Sequence, residues 1–177
     1  MTDVLLITMA AAYSLLALAG LIILIFRIRT LLFDGAPFVA SSNESIRRGL
    51  ELANLKANDR LADVGSGDGS VIFAALKAGV GRADGFEIDP LLIRRSRKRA
   101  ERNGYGARAT FHHADFWKAD LSPYTVVFIF QIPYAMPRLE EKLMAELKPG
   151  TRVISNTFRF PNWKPLRSNG TIHLYVR

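Results

Sequence analysis

Apolar residues are spaced in three ways along the chain, and each predicts a different element. The first is an unbroken run, "VLLITMAAAYSLLALAGLIILIF" (4–26), with no charged residue in it. As a helix it spans roughly 34 Å at about 1.5 Å per residue, enough to cross a bilayer core of about 30 Å. The second is the short β-branched or alternating run. Leu61–Val64, "ADGFEI" (83–88), "ATFHHAD" (109–115), "TVVFIF" (125–130), "TRVISNTF" (151–158) and "TIHLYVR" (171–177) read as strands. The third is helical spacing. "IRRGLELANL" (46–55) follows the cap candidates "SSNES", and "VIFAALKAG" (71–79) is closed by glycine. "PLLIRRSRKRAERNG" (90–104) opens on proline and stops at Asn-Gly, with Leu92, Ser96 and Ala100 as its inward face. "MPRLEEKLMAELKPG" (136–150) puts Leu139, Leu143 and Leu147 on one side.

From residue 46 onward helices and strands largely alternate, so the fold class is α/β, a Rossmann-like doubly wound and mostly parallel sheet preceded by one transmembrane helix. "DGAPF" (34–38) is a turn signal. The expected division is an anchor over 1–30 and a globular domain over 31–177.

Charge gives the anchor an orientation. The chain carries 24 Lys and Arg against 16 Asp and Glu, a net charge of +8. Arg27 and Arg29 follow the apolar run at once, and only Asp3 is charged before it. A secretory signal peptide has a basic start and a shorter apolar core, so the run reads as a retained span with the main domain on the cytoplasmic side. A basic balance also suits a polyanionic neighbour, and anionic lipid headgroups fit better than nucleic acid. The run "RRSRKRAER" (94–102) carries most of that charge but has no interleaved aromatics for base stacking. The chain has no cysteine and three histidines. Disulfides and thiolate metal sites are thereby excluded, no metal motif is expected, and a reducing compartment fits.

The chemistry is concentrated in "LADVGSGDGS" (61–70). Gly65, Gly67 and Gly69 recur at every second residue, fenced by Asp63 and Asp68, directly after a strand and before a helix. Ligands of open α/β sheets bind at that kind of turn. A P-loop needs Gly-Lys-Ser/Thr, and no lysine lies between Lys56 and Lys77. A dinucleotide loop wants G-x-G-x-x-G, but Ser70 stands at the third glycine position and Asp68 would repel a pyrophosphate. S-adenosylmethionine carries a sulfonium and an ammonium and no phosphate, which accounts for glycines and acids together. Glu87 closes the second strand, where a carboxylate can accept from both ribose hydroxyls, and Asp115 closes the third, in reach of an adenine amino group.

These residues resemble class I (seven-β-strand) S-adenosylmethionine-dependent methyltransferases. "PFVASS", "DVGSGDG", "GFEIDPLLIRRSR", "DFWKADLSPY" and "IPYAMPRLEEKLMAELKPGTRVISNTFRFPNW" are, more narrowly, similar to the small membrane-anchored protein-lysine methyltransferases. That family modifies the adenine nucleotide translocase and the c-ring protein of ATP synthase and has archaeal relatives. The resemblance covers most of residues 37–163. It implies that Asp63, Gly65, Gly67, Asp68 and Gly69 line the methionine half of the cofactor, that Glu87 holds the ribose, and that Asp115 and Phe116 flank the adenine. Ser41 would sit near the cofactor's carboxylate, in a segment where Ala40 replaces the family's proline. Gln131, Ile132, Pro133 and Tyr134 would come to the reacting centre, with Gln for Asn and Ile for the first Pro of N-P-P-Y. Gln131, Pro133 and Tyr134 are the catalytic candidates, Tyr134 to grip the amine through its hydroxyl or its ring. Phe38 and Trp163 would wall a substrate channel.

The resemblance thus implies a membrane-anchored transferase acting on lysine of a membrane-embedded or membrane-associated protein. The host membrane would be a bacterial or archaeal inner membrane, or the mitochondrial inner membrane in a eukaryote. An RNA or small-molecule methyltransferase on the same fold is the alternative, because fold alone does not fix substrate. A non-catalytic scaffold is the second, against which the intact glycines and acids argue.

Overall fold

The computed structural model describes residues 2–29 and 40–177, with the side chains of 8–25 and 40–177. Two units result, Met1–Pro37 and Phe38–Arg177. The boundary expected at residue 30 and the side chain of Phe38 lie outside the described residues.

In the first unit a helix, α1 (Thr2–Arg29), occupies the apolar run. The described side chains from Thr8 to Ile25 are all exposed, and that stretch is long and apolar enough to cross a membrane. Ser14, a polar residue within it, donates its hydroxyl to the Ala10 carbonyl (2.9 Å) and so keeps the hydroxyl satisfied without water.

The second unit is a seven-stranded sheet in the order β3-β2-β1-β4-β5-β7-β6. β1 (Arg60–Val64), β2 (Arg82–Glu87), β3 (Ala109–His113), β4 (Val126–Ile129) and β5 (Arg152–Asn156) run parallel. β7 (Ile172–Val176) is antiparallel to β5 and forms a hairpin with β6 (Arg167–Asn169). This is the Rossmann-like sheet expected. β6 carries no sequence signal, because "RSN" is wholly exposed and held only through its pairing with β7.

The pleat sends alternate residues to two cores. On one side Leu61, Ala83, Phe111, Phe128 and Ile154 pack against α2 (Asn43–Leu52), α3 (Ser70–Lys77) and α4 (Pro90–Arg102). On the other, Ala62, Val64, Phe86, Val127, Ile129 and Val153 meet α5 (Met136–Glu146) and the aromatic cluster Phe160, Trp163 and Tyr175. Cap choices fix the helix starts. Ser42 accepts from the Ser45 amide (3.1 Å), and Asp89 accepts from the Leu91 (2.7 Å) and Leu92 (3.3 Å) amides ahead of Pro90. Three sequence expectations need correction. Ile93, not Leu92, is the buried start of the inner face of α4, with Ser96 and Ala100. Leu147 is buried as expected but caps α5 from an extended conformation instead of extending the helix. β5 also stops two residues early. Thr157 has φ +76, a region that a β-branched residue rarely enters, and this turns the chain out of the sheet.

At the opposite end from the strand tips a second polar network ties the elements together. Arg60 forks onto Asp84, and Arg152 pairs with Asp59, which also accepts from Thr125 (2.8 Å). Arg60 and Arg152 respectively hold the Asp84 and Asp59 carboxyls below the usual carboxylate range despite the desolvation that opposes them.

Candidate functional site

Because β1, β2, β3, β4 and β5 are parallel, their carboxyl ends converge on one edge of the sheet, and most candidate residues come from those ends and the segments that follow them. The glycine turn lies between β1 and α3. The Gly65 and Ser66 amides both donate to the Phe86 carbonyl (2.9 Å each), which pins the turn to the end of β2. Gly65 has φ +87, and a Cβ built there would lie 2.6 Å from Nε2 of Gln131. Gly69 caps α3 at φ +78, and a Cβ there would enter the Phe111 and Phe73 rings (2.8 and 2.9 Å). Both positions require glycine for backbone conformation and for space.

Glu87 joins the turn to β2. Its Oε2 accepts from the Gly67 amide (2.8 Å), and its Oε1 accepts from the Ile88 (2.8 Å) and Asp89 (2.9 Å) amides. Three N–H donors leave the carboxylate oriented, with one lone pair of Oε2 still to be used. Asp68 accepts from the Ser70 amide (3.1 Å) and stands 3.8 Å from Arg99. Asp63, one residue before the end of β1, is 4 % exposed. Burial, then the neighbouring Glu87 and Asp68 charges, push its carboxyl up to about 8. Three carboxyl groups thus share one electronegative corner with the amides of the turn.

Gln131 follows β4 and reaches back over this corner. Its Nε2 donates to the Val64 carbonyl (3.0 Å), while its buried Oε1 has no hydrogen-bond partner among the described residues. The buried Ser66 hydroxyl also lacks a partner among the described residues, but it is turned onto β2, where a Cβ built at Gly85 would lie 2.6 Å from it. Buried polar atoms without partners are rare in folded proteins, and Gln131 Oε1 marks a place where a ligand's donor fits. Ser41 joins from the segment before α2, accepting from the Asn156 side-chain amide at the end of β5 (3.2 Å). Asp115 accepts from the Trp117 amide (3.0 Å) and caps a 3₁₀ turn, Phe116–Lys118, whose Phe116 is buried against Trp117 with ring centroids 4.7 Å apart. Pro133 and Tyr134 form another 3₁₀ turn after Gln131, with the Tyr134 side chain 60 % exposed at the same edge.

The structure therefore brings Asp63, Gly65, Gly67, Asp68, Gly69, Glu87 and Gln131 into one contiguous group. Ser41, Asp115, Phe116, Pro133 and Tyr134 border it on the neighbouring strand ends. Trp163 stands elsewhere in role, its ring stacked on Phe160 (5.4 Å) and tilted to Tyr175 (5.2 Å) as part of the aromatic cluster. Asn156 borders the site through Ser41 and was not singled out by sequence reasoning. It is recognisable only once β5 is placed beside β4.

The chain matches the ANTKMT methyltransferase domain over residues 63–167. It is 36 % identical over 130 residues to the adenine nucleotide translocase lysine N-methyltransferase of Mus musculus, covering 73 % of this chain and 56 % of that protein. The chain thus spans less than two thirds of that relative's length. It is 37 % identical over 149 residues to a protein-lysine N-methyltransferase of Saccharolobus islandicus, covering 79 % of this chain and 92 % of that one. Among solved structures, an RNA methyltransferase of Salinibacter ruber in complex with S-adenosyl-L-homocysteine superimposes with a TM-score of 0.73 at 34 % identity, covering 78 % of this chain and 92 % of that chain.

Proposed function

The chain belongs to the ANTKMT methyltransferase domain family, and from that premise we propose that it is an S-adenosylmethionine-dependent protein-lysine methyltransferase held at a membrane by α1. The observation that carries the reading is the corner built by Asp63, Asp68 and Glu87 against the glycine turn, beside the unpartnered Gln131 Oε1. The Asp68 and Glu87 carboxylates repel a phosphate, and together with an Asp63 carboxyl that can ionise they suit a ligand that bears an ammonium and a sulfonium.

Asp63, Asp68 and the amides of the turn would hold the methionine end, Glu87 the ribose, and Asp115 with Phe116 the adenine. The cofactor supplies a methyl group already activated by its sulfonium. The protein's own work is alignment and exclusion of water, because an in-line displacement requires the amine within about 3–3.5 Å of the methyl group. A lysine, with an ordinary pKa of about 10.4, must also lose its proton first. A neutral acceptor serves that step better than a carboxylate would. The proton leaves to water before the amine is enclosed; Gln131 Oε1 or the Tyr134 hydroxyl can then accept an N–H of the neutral amine, favouring the charged form less than a carboxylate would, and desolvation keeps the amine neutral. Phe38 would wall the approach.

In this reading α1 crosses the bilayer once. Arg27 and Arg29 keep the catalytic unit on the cytoplasmic side, or its mitochondrial equivalent. Tethering raises the effective concentration of lysines on proteins of the same membrane, so a membrane protein is the expected substrate. A second reading, RNA methylation, is favoured by the name of the Salinibacter ruber relative. The deciding experiment incubates the purified protein with methyl-labelled cofactor and separate membrane-protein, soluble-protein and RNA fractions. Label on lysine of membrane proteins is expected, and label confined to RNA would overturn the lysine reading.

A further inference from the structure

The cations of α4 divide into two groups by what they touch. Arg97 donates twice to the Phe111 carbonyl (3.1 and 2.6 Å), and Arg99 lies over the Phe73 ring (4.4 Å) and 3.8 Å from Asp68. These two are part of the fold. Arg94, Arg95, Lys98 and Arg102 are exposed and make no hydrogen bond or ion pair among the described residues. Leu91, Arg95, Lys98 and Arg102 are spaced i, i+4, i+7 and i+11. They form one outer stripe, opposite the buried Ile93, Ser96 and Ala100.

The stripe has an apolar tip at the rim of the site. Leu91 is 65 % exposed and Ile88 41 % exposed, and Ile88 directly follows Glu87. Asp89, the acid between them, is occupied as the cap of α4. Glu101 is the one acid within α4, and it too is exposed. Two bare aliphatic side chains beside four unpaired cations are a poor water-facing surface. They match the layered chemistry of a bilayer face, with phosphate oxygens outermost and hydrocarbon beneath. Single-stranded RNA would instead call for an aromatic platform, and the stripe has none.

We propose that this stripe and its Ile88–Leu91 tip dock the catalytic unit onto an anionic bilayer surface, holding the rim of the site at the headgroup level. The substrate lysine would then lie at the membrane interface, just outside the hydrocarbon core. The inference rests on the membrane-tethered reading of α1.

The absence of cysteine permits a direct test on the full chain. A Leu91→Cys variant carries an environment-sensitive fluorophore on its single thiol. A second variant, Asn58→Cys, carries it in the exposed loop before β1, at the opposite end of the strands. Each is reconstituted into vesicles of phosphatidylcholine alone or with one third phosphatidylglycerol. Docking predicts blue-shifted emission at position 91 only in the anionic vesicles, and no shift at position 58. The shift should revert between about 0.1 and about 1 M salt, as the screening length falls from about 10 to about 3 Å. Adding Arg95→Gln, Lys98→Gln and Arg102→Gln should reduce the docked-to-undocked ratio about a hundredfold, at roughly fivefold per cation. Equal emission at position 91 in both lipids, with the protein still floating with the vesicles, overturns the docking and leaves the anchor intact. A shift produced by added RNA and not by anionic lipid overturns it in favour of a nucleic-acid surface. Failure to float with either vesicle overturns the anchor reading and the docking with it.

Discussion

Replacing Asp63 by asparagine should stabilise the ligand-free protein while impairing its use of the cofactor. The Asp63 carboxyl is fully enclosed, next to Glu87 and Asp68, and its pKa rises from an ordinary 3.8 to about 8. The unfolded chain releases that proton near pH 3.8, whereas the folded chain keeps it until about pH 8. Folding therefore takes up a proton throughout this window, and stability falls as pH rises through it, levelling off above pH 8. Each pH unit in the window costs about 1.4 kcal/mol. The accumulated penalty is on the order of 1–2 kcal/mol at pH 5 and on the order of 4 kcal/mol at pH 7. Asparagine removes the titration and keeps the volume. Its stabilisation over the parent protein should thus grow by on the order of 3 kcal/mol from pH 5 to pH 7, about 10 °C in midpoint for a unit of this size. Thermal melts of both proteins in one detergent, at several pH values between 5 and 8, measure the difference. Using the difference removes His173, held neutral by burial, whose own penalty grows as pH falls below 6.5 in both proteins alike. Asp59 and Asp84, whose pKa values are lowered, stay outside the window, since they lose stability only in stronger acid. A gap between variant and parent that does not widen with pH would refute the electrostatic picture of the corner.

Three further outcomes follow from the same contacts. Cofactor binding at pH 7 should release close to one proton from Asp63, because the ligand's cations favour the carboxylate; calorimetry in buffers of different ionisation enthalpy reads this, and a buffer-independent heat would contradict it. Gly65→Ala should destabilise by about 2–4 kcal/mol in urea titrations, since the new Cβ meets Gln131 Nε2 at 2.6 Å and φ is +87. Tyr134→Phe should leave cofactor affinity unchanged and slow turnover roughly tenfold, the worth of one hydrogen bond of about 1.4 kcal/mol; unchanged kcat would remove the hydroxyl from the reaction.

Much of the fold was readable because the sheet is buried on both faces. Apolar strands such as Val126–Ile129 and capped helices such as Pro90–Arg102 announce themselves through composition and punctuation. The glycine turn was equally legible, since positive φ and close approach leave glycine as the fitting residue at Gly65 and Gly69. Misreadings occurred where a neighbour, not local preference, decides the conformation. β6 exists because β7 offers it hydrogen bonds, and β5 ends where Thr157 is forced to positive φ.

The chain by itself determined which residue types stand at the strand ends: an acid closing β2 and another after β3, an amide after β4, glycines after β1. Local chemistry carries that information, because caps, turns and apolar runs are satisfied by near neighbours. Only the tertiary structure decided which of them meet. The parallel order β2-β1-β4 sets Glu87 on the Gly67 amide, folds Gln131 over Gly65 and leaves Gln131 Oε1 without a partner among the described residues, while Trp163 goes to the aromatic cluster. Contacts across 20 to 67 residues of chain depend on strand order and burial, and both arise from packing that no short window of sequence contains.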